Sequence, residues 1–262
     1  MPQPIVVFLG PTLDHDTAAS RLDAIYRAPA EQGSIVRAVC ELDPRSIVLI
    51  DGAFASVPAV RHKEILWALS EGIPVIGAAS IGALRAAELT AFGMGGHGLI
   101  YRWYRATPFA DDDEVAVAMT PPELGARPLS DALINIRLTL RLAERRGLVR
   151  RADRLRLCGL ARSLHFVERR YATLFAGARA AGLGSPSALD ALADWVAHNA
   201  VDQKHADALS LLSTLAAMRD SPHEAVRSGR ALAKHPFQLT EAWLIDLEEA
   251  GIHLPIVCGG SN

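Results

Sequence analysis

Lysine is nearly missing from this chain. Of its 27 basic residues only Lys63, Lys204 and Lys234 are lysine, so surface charge falls to arginine and a retained lysine stands out for its compact, titratable amine. A basic surplus is missing too: 27 basic residues face 29 acidic ones, a formal net charge of −2. That balance argues against a protein whose work is neutralising phosphates, and so against nucleic acid as a partner. Aromatics make up only 6% of the residues, leaving the core to Ala, Val, Ile and Leu. Three widely spaced cysteines, Cys40, Cys158 and Cys258, make neither a disulfide framework nor a zinc knuckle. No apolar run approaches the ~18–20 residues of a membrane span, and Met1-Pro2-Gln3-Pro4 lacks the basic flank of a cleavable signal. No repeat occurs at solenoid periods. The expectation is a cytoplasmic globular protein.

The 262 residues suffice for one large domain or two small ones. Over the first ninety, short apolar runs alternate with longer helical stretches, the pattern of a parallel α/β sheet. Ile5–Leu9 is a continuous β-branched run stopped by Gly10-Pro11, Ser46–Ile50 is stopped by Asp51-Gly52, and Ile73–Gly77 leads into Ala78-Ala79-Ser80. Between them the pattern predicts helices from Asp16 or Thr17 to Tyr26, over Ile35–Leu42, from a Ser56 cap to Ser70, and over Ile81–Ala91. Residues 93–127 carry a glycine cluster, an acidic run at 111–114 and a candidate strand from Val115 to Met119. Ser130 is expected to cap a long helix to Arg146. Beyond Val149 only helical periodicity remains, over 152–181, 187–199, 203–219 and 238–250. The reading is an α/β fold: an N-terminal Rossmann-like parallel sheet with flanking helices, followed by a mostly α-helical region. The boundary is placed at an α/β core of 1–127 and a helical region of 128–262 packed on or completing it.

Ligands of open parallel sheets bind beyond the carboxyl ends of the strands. Three such ends are legible: Gly10-Pro11-Thr12, Asp51-Gly52 and Gly77-Ala78-Ala79-Ser80. In Ala78-Ala79-Ser80-Ile81-Gly82 the small neighbours resemble a loosened nucleophile elbow, which pushes a hydroxyl out at a helix N-terminus. Ser80 is either that nucleophile or a plain helix cap. Arg85 and Glu88 form either a surface pair or an ion pair lining the site. Arg61-His62-Lys63-Glu64 sweeps about 300° around a helix, so one of the four must face inward. His62 and Lys63 are candidate bases, and Asp51 would orient one of them, hold a metal or simply make an Asp-Gly turn. The run Asp111–Glu114 is a magnesium candidate or a solvated loop, and no His/Cys set has zinc spacing. Cys258-Gly259-Gly260 reads as a tail.

Taken together, Phe8–Thr12, Ile50–Gly52, His62–Leu66, Gly77–Leu89, Phe92–Met94, Asp112–Val117 and Asn135–Arg137 resemble the TfuA family over about residues 5–147. An echo follows at Val201–Lys204 and Asp207–Leu209. Family members often carry Trp where this chain has Arg61, and Met where it has Ile81. The resemblance implies an accessory protein of thioamide formation, partnered by a YcaO-type enzyme that activates a backbone amide with ATP before sulfur replaces its oxygen. It further implies sulfur supply by hydrolysis of the C-terminal thiocarboxylate of a ThiS-like carrier protein, or, alternatively, non-catalytic docking that recruits carrier or peptide to the enzyme.

Hydrolysing a thiocarboxylate is acyl transfer, which calls for a nucleophile, a base and oxyanion donors. On that reading Ser80 is the nucleophile or positions water, Lys63 or His62 is the base and Asp51 orients it. Gly10, Thr12, Gly52, Gly82, Arg85 and Glu88 line the substrate, with amides near Ser80 and Gly82 holding the oxyanion and Arg85 answering the anionic charge. No cofactor and no resident metal is called for, and homo-oligomerisation is left open.

Overall fold

The computed structural model describes residues 3–53, 57–107, 109–218 and 237–252; Ser56, Lys234 and Cys258-Gly259-Gly260 lie outside them. Five strands, β1 (Ile5–Phe8), β2 (Ile25–Arg27), β3 (Ser46–Leu49), β4 (Val75–Ala78) and β5 (Gly95–His97), form one sheet. Its order is β2-β1-β3-β4-β5, and every neighbouring pair is parallel. The apolar runs of β1 and β3 are buried at every position, as strands covered on both faces must be.

Eleven α-helices are described: α1 (His15–Arg21), α2 (Ser34–Leu42), α3 (His62–Ser70), α4 (Ile81–Leu89), α5 (Gly98–Ala106), α6 (Leu133–Arg145), α7 (Arg151–Ser163), α8 (Tyr171–Ala180), α9 (Pro186–Asn199), α10 (Gln203–Ala217) and α11 (Glu241–Glu249). The period of two in the strands sorts their side chains to opposite faces. Val6, Phe8, Ile47, Leu49 and Val75 pack with residues of α2, α3 and α4. Ile5, Val7, Val48 and Ile50 pack with α1 and with Ala208, Leu211 and Leu212 of α10. Helices α6–α9 share a separate core built on Leu133, Leu140, Leu157, Leu174 and Leu192. A helix from late in the chain therefore returns to close one face of the N-terminal sheet.

The departures from the sequence reading have local causes. The first helix starts at an Asp14 cap, whose side chain accepts from the Thr17 amide, and it stops at Arg21. Tyr26 lies in β2 instead, with its hydroxyl 2.8 Å from the carbonyl oxygens of Ala18 and Leu22. Helix α3 begins only after Arg61. Strand β4 starts two residues late because the Ile73 amide is spent on the Ala68 carbonyl. The glycine cluster at 95–97 is the edge strand β5. Val115–Met119 makes a lone bridge, Met119 to Pro128, instead of a strand. Ser130 accepts from the Ala118 amide at 2.7 Å, and α6 starts after Ala132 without a side-chain cap.

The expected helix over 152–181 is two helices, parted where Arg169 intervenes. Its fully buried guanidinium donates to the Ala161 and Leu164 carbonyls at the end of α7 and pairs with Asp113 at 2.6 Å. No glycine or proline marks that break.

Candidate functional site

The strand order reverses direction between β1 and β3, and it is at such a switch point that open α/β sheets bind ligands. Asp51, at the end of β3, bridges the switch. One carboxylate oxygen accepts from the Gly10 and Thr12 amides at 3.0 Å each, and the other accepts from the Thr12 hydroxyl at 2.6 Å. The carboxylate is 1% exposed, so these charge-assisted bonds form out of water, where they are strongest. Its backbone carbonyl takes the Ala30 amide, and Gly52 continues the pairing with Ala30. Asp51 is thus the organiser of the rim, and among the described residues its carboxylate bonds neither His62 nor Lys63.

Ser80 follows β4, the strand beside β3, at the same carboxyl edge of the sheet. Ala79 before it stands at φ +65°, a sparsely populated region for a residue with a Cβ. The Ser80 amide closes a tight turn onto the Ala78 carbonyl at 2.7 Å. The strain therefore lies one residue ahead of the serine. The serine is buried, and its hydroxyl takes no hydrogen-bond partner among the described residues. Gly82 lets the start of α4 press onto β3: a Cβ there would overlap the Leu49 carbonyl oxygen, and one at Gly77 would overlap that of Gly82. A Cβ at Gly52 would meet Ile81 and the Ala30 carbonyl, and one at Gly10 would strike Pro29. The amides proposed for an oxyanion are already engaged: Ser80 N–H with Ala78, and Gly82 N–H with Ile50 at 3.2 Å.

The helix α3 quartet disperses. Glu64 is the inward one. Its carboxylate accepts from the Arg61 amide of its own helix and from the Ile35 amide of α2 at 3.2 Å, tying two helix N-termini together. Burial pushes its pKa up. His62 meets Glu88 at 2.8 Å, and Arg85 holds the same Glu88 oxygen at 2.7 Å while its Nε donates to the Val60 carbonyl. Burial alone would raise the Glu88 pKa, but the bonds from His62 and Arg85 hold it below the usual carboxylate range. Lys63 turns the other way, donating to the Gln238 carbonyl at 2.9 Å and lying over the Phe237 ring. The structure therefore joins Gly10, Thr12, Asp51, Gly52, Ser80 and Gly82 on one rim, gathers His62, Arg85 and Glu88 in a second group, and sets Lys63 apart.

Sequence reasoning passed over Lys204 as a site residue. It lines a cleft of about 410 Å³ with Thr12, Ser130, Asn135 and Asp202, and is itself only 4% exposed. Its amine donates to the Val115 carbonyl at 2.8 Å, and burial pushes its pKa down against the raising fields of Asp51 and Asp202. The scarcity of lysine was the available signal. A second cleft, of about 460 Å³, borders β2 and α2, where Arg27 is paired with Glu41 and Arg37 donates to the Ala250 carbonyl. The acidic run is held by arginines: Asp111 by Arg162, Asp113 by Arg169 and Glu114 bidentately by Arg137. Among the described residues no three His, Cys, Asp or Glu side chains are grouped as metal ligands. Burial raises the thiol pKa of both Cys40 and Cys158, which disfavours the reactive thiolate.

Residues 51–170 match the family model of the TfuA-like proteins. Over that stretch, just under half of its length, the chain is TfuA-like. The matched stretch of this TfuA-like protein holds Asp51, the α3 quartet, the Ser80 turn and the arginine-held acidic run, while Gly10–Thr12 and Lys204 lie outside it. No curated protein matches the chain. The TfuA-like match supports an accessory role in thioamide biosynthesis, and the family is associated with YcaO partners. Among the described residues no helix is long and apolar enough to cross a membrane.

Proposed function

We propose that this TfuA-like protein supplies sulfur to a YcaO-type enzyme by hydrolysing the C-terminal thiocarboxylate of a ThiS-like carrier at the Gly10–Thr12, Asp51 and Ser80 rim. The observation that carries the reading is the Ser80 hydroxyl, unpartnered among the described residues on a strained turn at the strand ends. Its oxygen attacks the thiocarboxyl carbon, a C–O bond forms and the C–S bond breaks. The serine proton leaves on the sulfur as hydrogen sulfide ion. Water then cleaves the acyl-serine to the carboxylate, releasing one proton and restoring the hydroxyl. Transfer of the proton to the departing sulfur needs no separate base, which agrees with the engagement of Lys63 by Gln238 and of His62 by Glu88. Asp51 fixes the loop beside the acyl group through Gly10 and Thr12.

The same engagements, with the Ser80 and Gly82 amides already bonded, favour a second reading in which the rim docks the carrier without turning it over. Sulfide release from carrier thiocarboxylate by the purified protein, with no YcaO enzyme present, separates the two. The hydrolytic reading expects release by wild type and a loss of at least about 100-fold in Ser80→Ala, with an unchanged melting temperature. Absence of release by wild type selects docking. Full release by Ser80→Ala removes the serine from the chemistry.

A further inference from the structure

Lys204 is a buried cation with no ion-pair partner among the described residues. It is 4% exposed, and among the described residues no carboxylate reaches ion-pair distance of its amine; the Val115 carbonyl at 2.8 Å is its one hydrogen-bond acceptor. The other buried cations are matched by acids, Arg169 with Asp113 and half-buried Arg137 with Glu114. Holding an ammonium out of water without a partner costs several kcal/mol. The carboxylates about the amine, of which Asp131 and Asp202 line the cleft itself, accept other hydrogen bonds. Asp51 accepts from Gly10 and Thr12, Asp202 from the His205 amide and the Asn135 side chain, and Asp131 from the Tyr171 amide. What remains beside Lys204 is an open cleft of about 410 Å³, bordered by Thr12 of the rim itself. Arg85, the cation expected to meet an anionic substrate, is held by Glu88.

We propose that the Lys204 cleft binds the anionic acyl end of a chain, a carboxylate or thiocarboxylate, with the Lys204 ammonium as its counter-ion. The volume accommodates the terminal residues of an extended peptide, with the acyl end beside Lys204 and Thr12. The identification of that chain as a sulfur carrier's tail rests on the hydrolytic reading above; the anion site itself does not. The Lys204 ammonium is a compact point charge that meets one carboxylate end, and lysine is rare elsewhere in the chain.

The test is titration of the full chain, followed by nuclear magnetic resonance, with N-acetylglycine, its thiocarboxylate and the uncharged N-acetylglycinamide. Both acids are expected to bind at least about 10-fold more tightly than the amide, and Lys204→Met and Lys204→Gln to erase that preference. A carrier ending in a free carboxylate is expected to compete, and the same carrier amidated at its C-terminus is not. Equal binding of acid and amide by wild type overturns the proposal whatever the variants do. So does a folded Lys204→Met that keeps the preference, or an amidated carrier that competes as well. N-acetylglycine carries no sulfur, so its binding is read without turnover. Acid preference without sulfide release sinks hydrolysis and leaves the site; sulfide release without acid preference sinks the site alone.

Discussion

A buried ammonium and a buried carboxylate feel one another across the end of β3 without touching. Lys204 lies in the field of Asp51, yet Asp51 gives its oxygens to Gly10 and Thr12. This arrangement has a pH signature. Burial lowers the Lys204 pKa in the folded chain from its ordinary 10.5, against the raising fields of Asp51 and Asp202. Between that lowered value and 10.5 the unfolded chain binds more protons than the folded one, so stability from this group rises with pH across the window. Below the window the charged amine is buried at full cost; above it both states are neutral. Asp131, Asp202 and Arg170 line the same cleft, and the fields of Asp51 and Asp202 reach the amine. Urea denaturation is expected to show Lys204→Met most favoured over wild type below the window, with the advantage shrinking as pH climbs toward 10.5. A difference flat with pH would mean the amine is not desolvated. At this scale the sequence made the rim legible, because strand ends and Asp-Gly corners have fixed places in a parallel sheet. It did not resolve the α3 quartet: helical spacing gives angles around an axis, and it does not say that α2 stands beside Glu64, α4 beside His62 and residues 237–238 beside Lys63.

Between elements, α4 meets the sheet with glycine against backbone. The start of α4 reaches β3 and β4 only because Gly77 and Gly82 lack a Cβ, and the Gly82 amide is donated to the Ile50 carbonyl at that contact. Gly82→Ala must push the helix start away from Leu49. A loss of about 1–3 kcal/mol follows from overpacking, or roughly 2–12 °C in melting temperature at this size. The displaced Ser80 turn is expected to lose its chemistry by a larger factor than stability alone explains. A Gly82→Ala protein with wild-type melting would show that the contact yields freely. The three interior strands were readable as continuous apolar runs. Strands β2 and β5 were not, since each has three residues and one is largely glycine, which carries no hydrophobic period at all. The break between α7 and α8 was hidden for a different reason. An arginine makes it, by taking carbonyls that a helix would have kept, and arginine is no helix breaker in sequence terms.

Across the whole molecule two cores share one chain. The sheet is closed on one face by α10, while α6–α9 bury Leu140, Leu157, Leu174 and Leu192 among themselves. The joints between them are in part polar, Glu114 with Arg137, Asp113 with Arg169, and the Lys204 amine with the Val115 carbonyl, and in part apolar, where Leu84, Ile100 and Tyr104 pack with Ile134 at the start of α6. Layers with separate cores can open as separate cooperative units. Amides of β1, β3, β4 and α10 are expected to exchange with solvent together and last, and those of α7–α9 to open earlier as a unit. Arg169→Met tests the joint directly. It frees Asp113 toward water, where its side chain is already 36% exposed, and it strips the Ala161 and Leu164 carbonyls of their donor. Loss of several hydrogen bonds from a charged donor sets a cost on the order of 2–3 kcal/mol. Hydrogen exchange should place that cost in α7–α9 and leave β1, β3 and β4 with their wild-type protection. Equal loss of protection in sheet and helices would mean that the sheet and the four-helix layer unfold as one body, and that the rim bearing Asp51 and Ser80 depends on the distant helices for its shape.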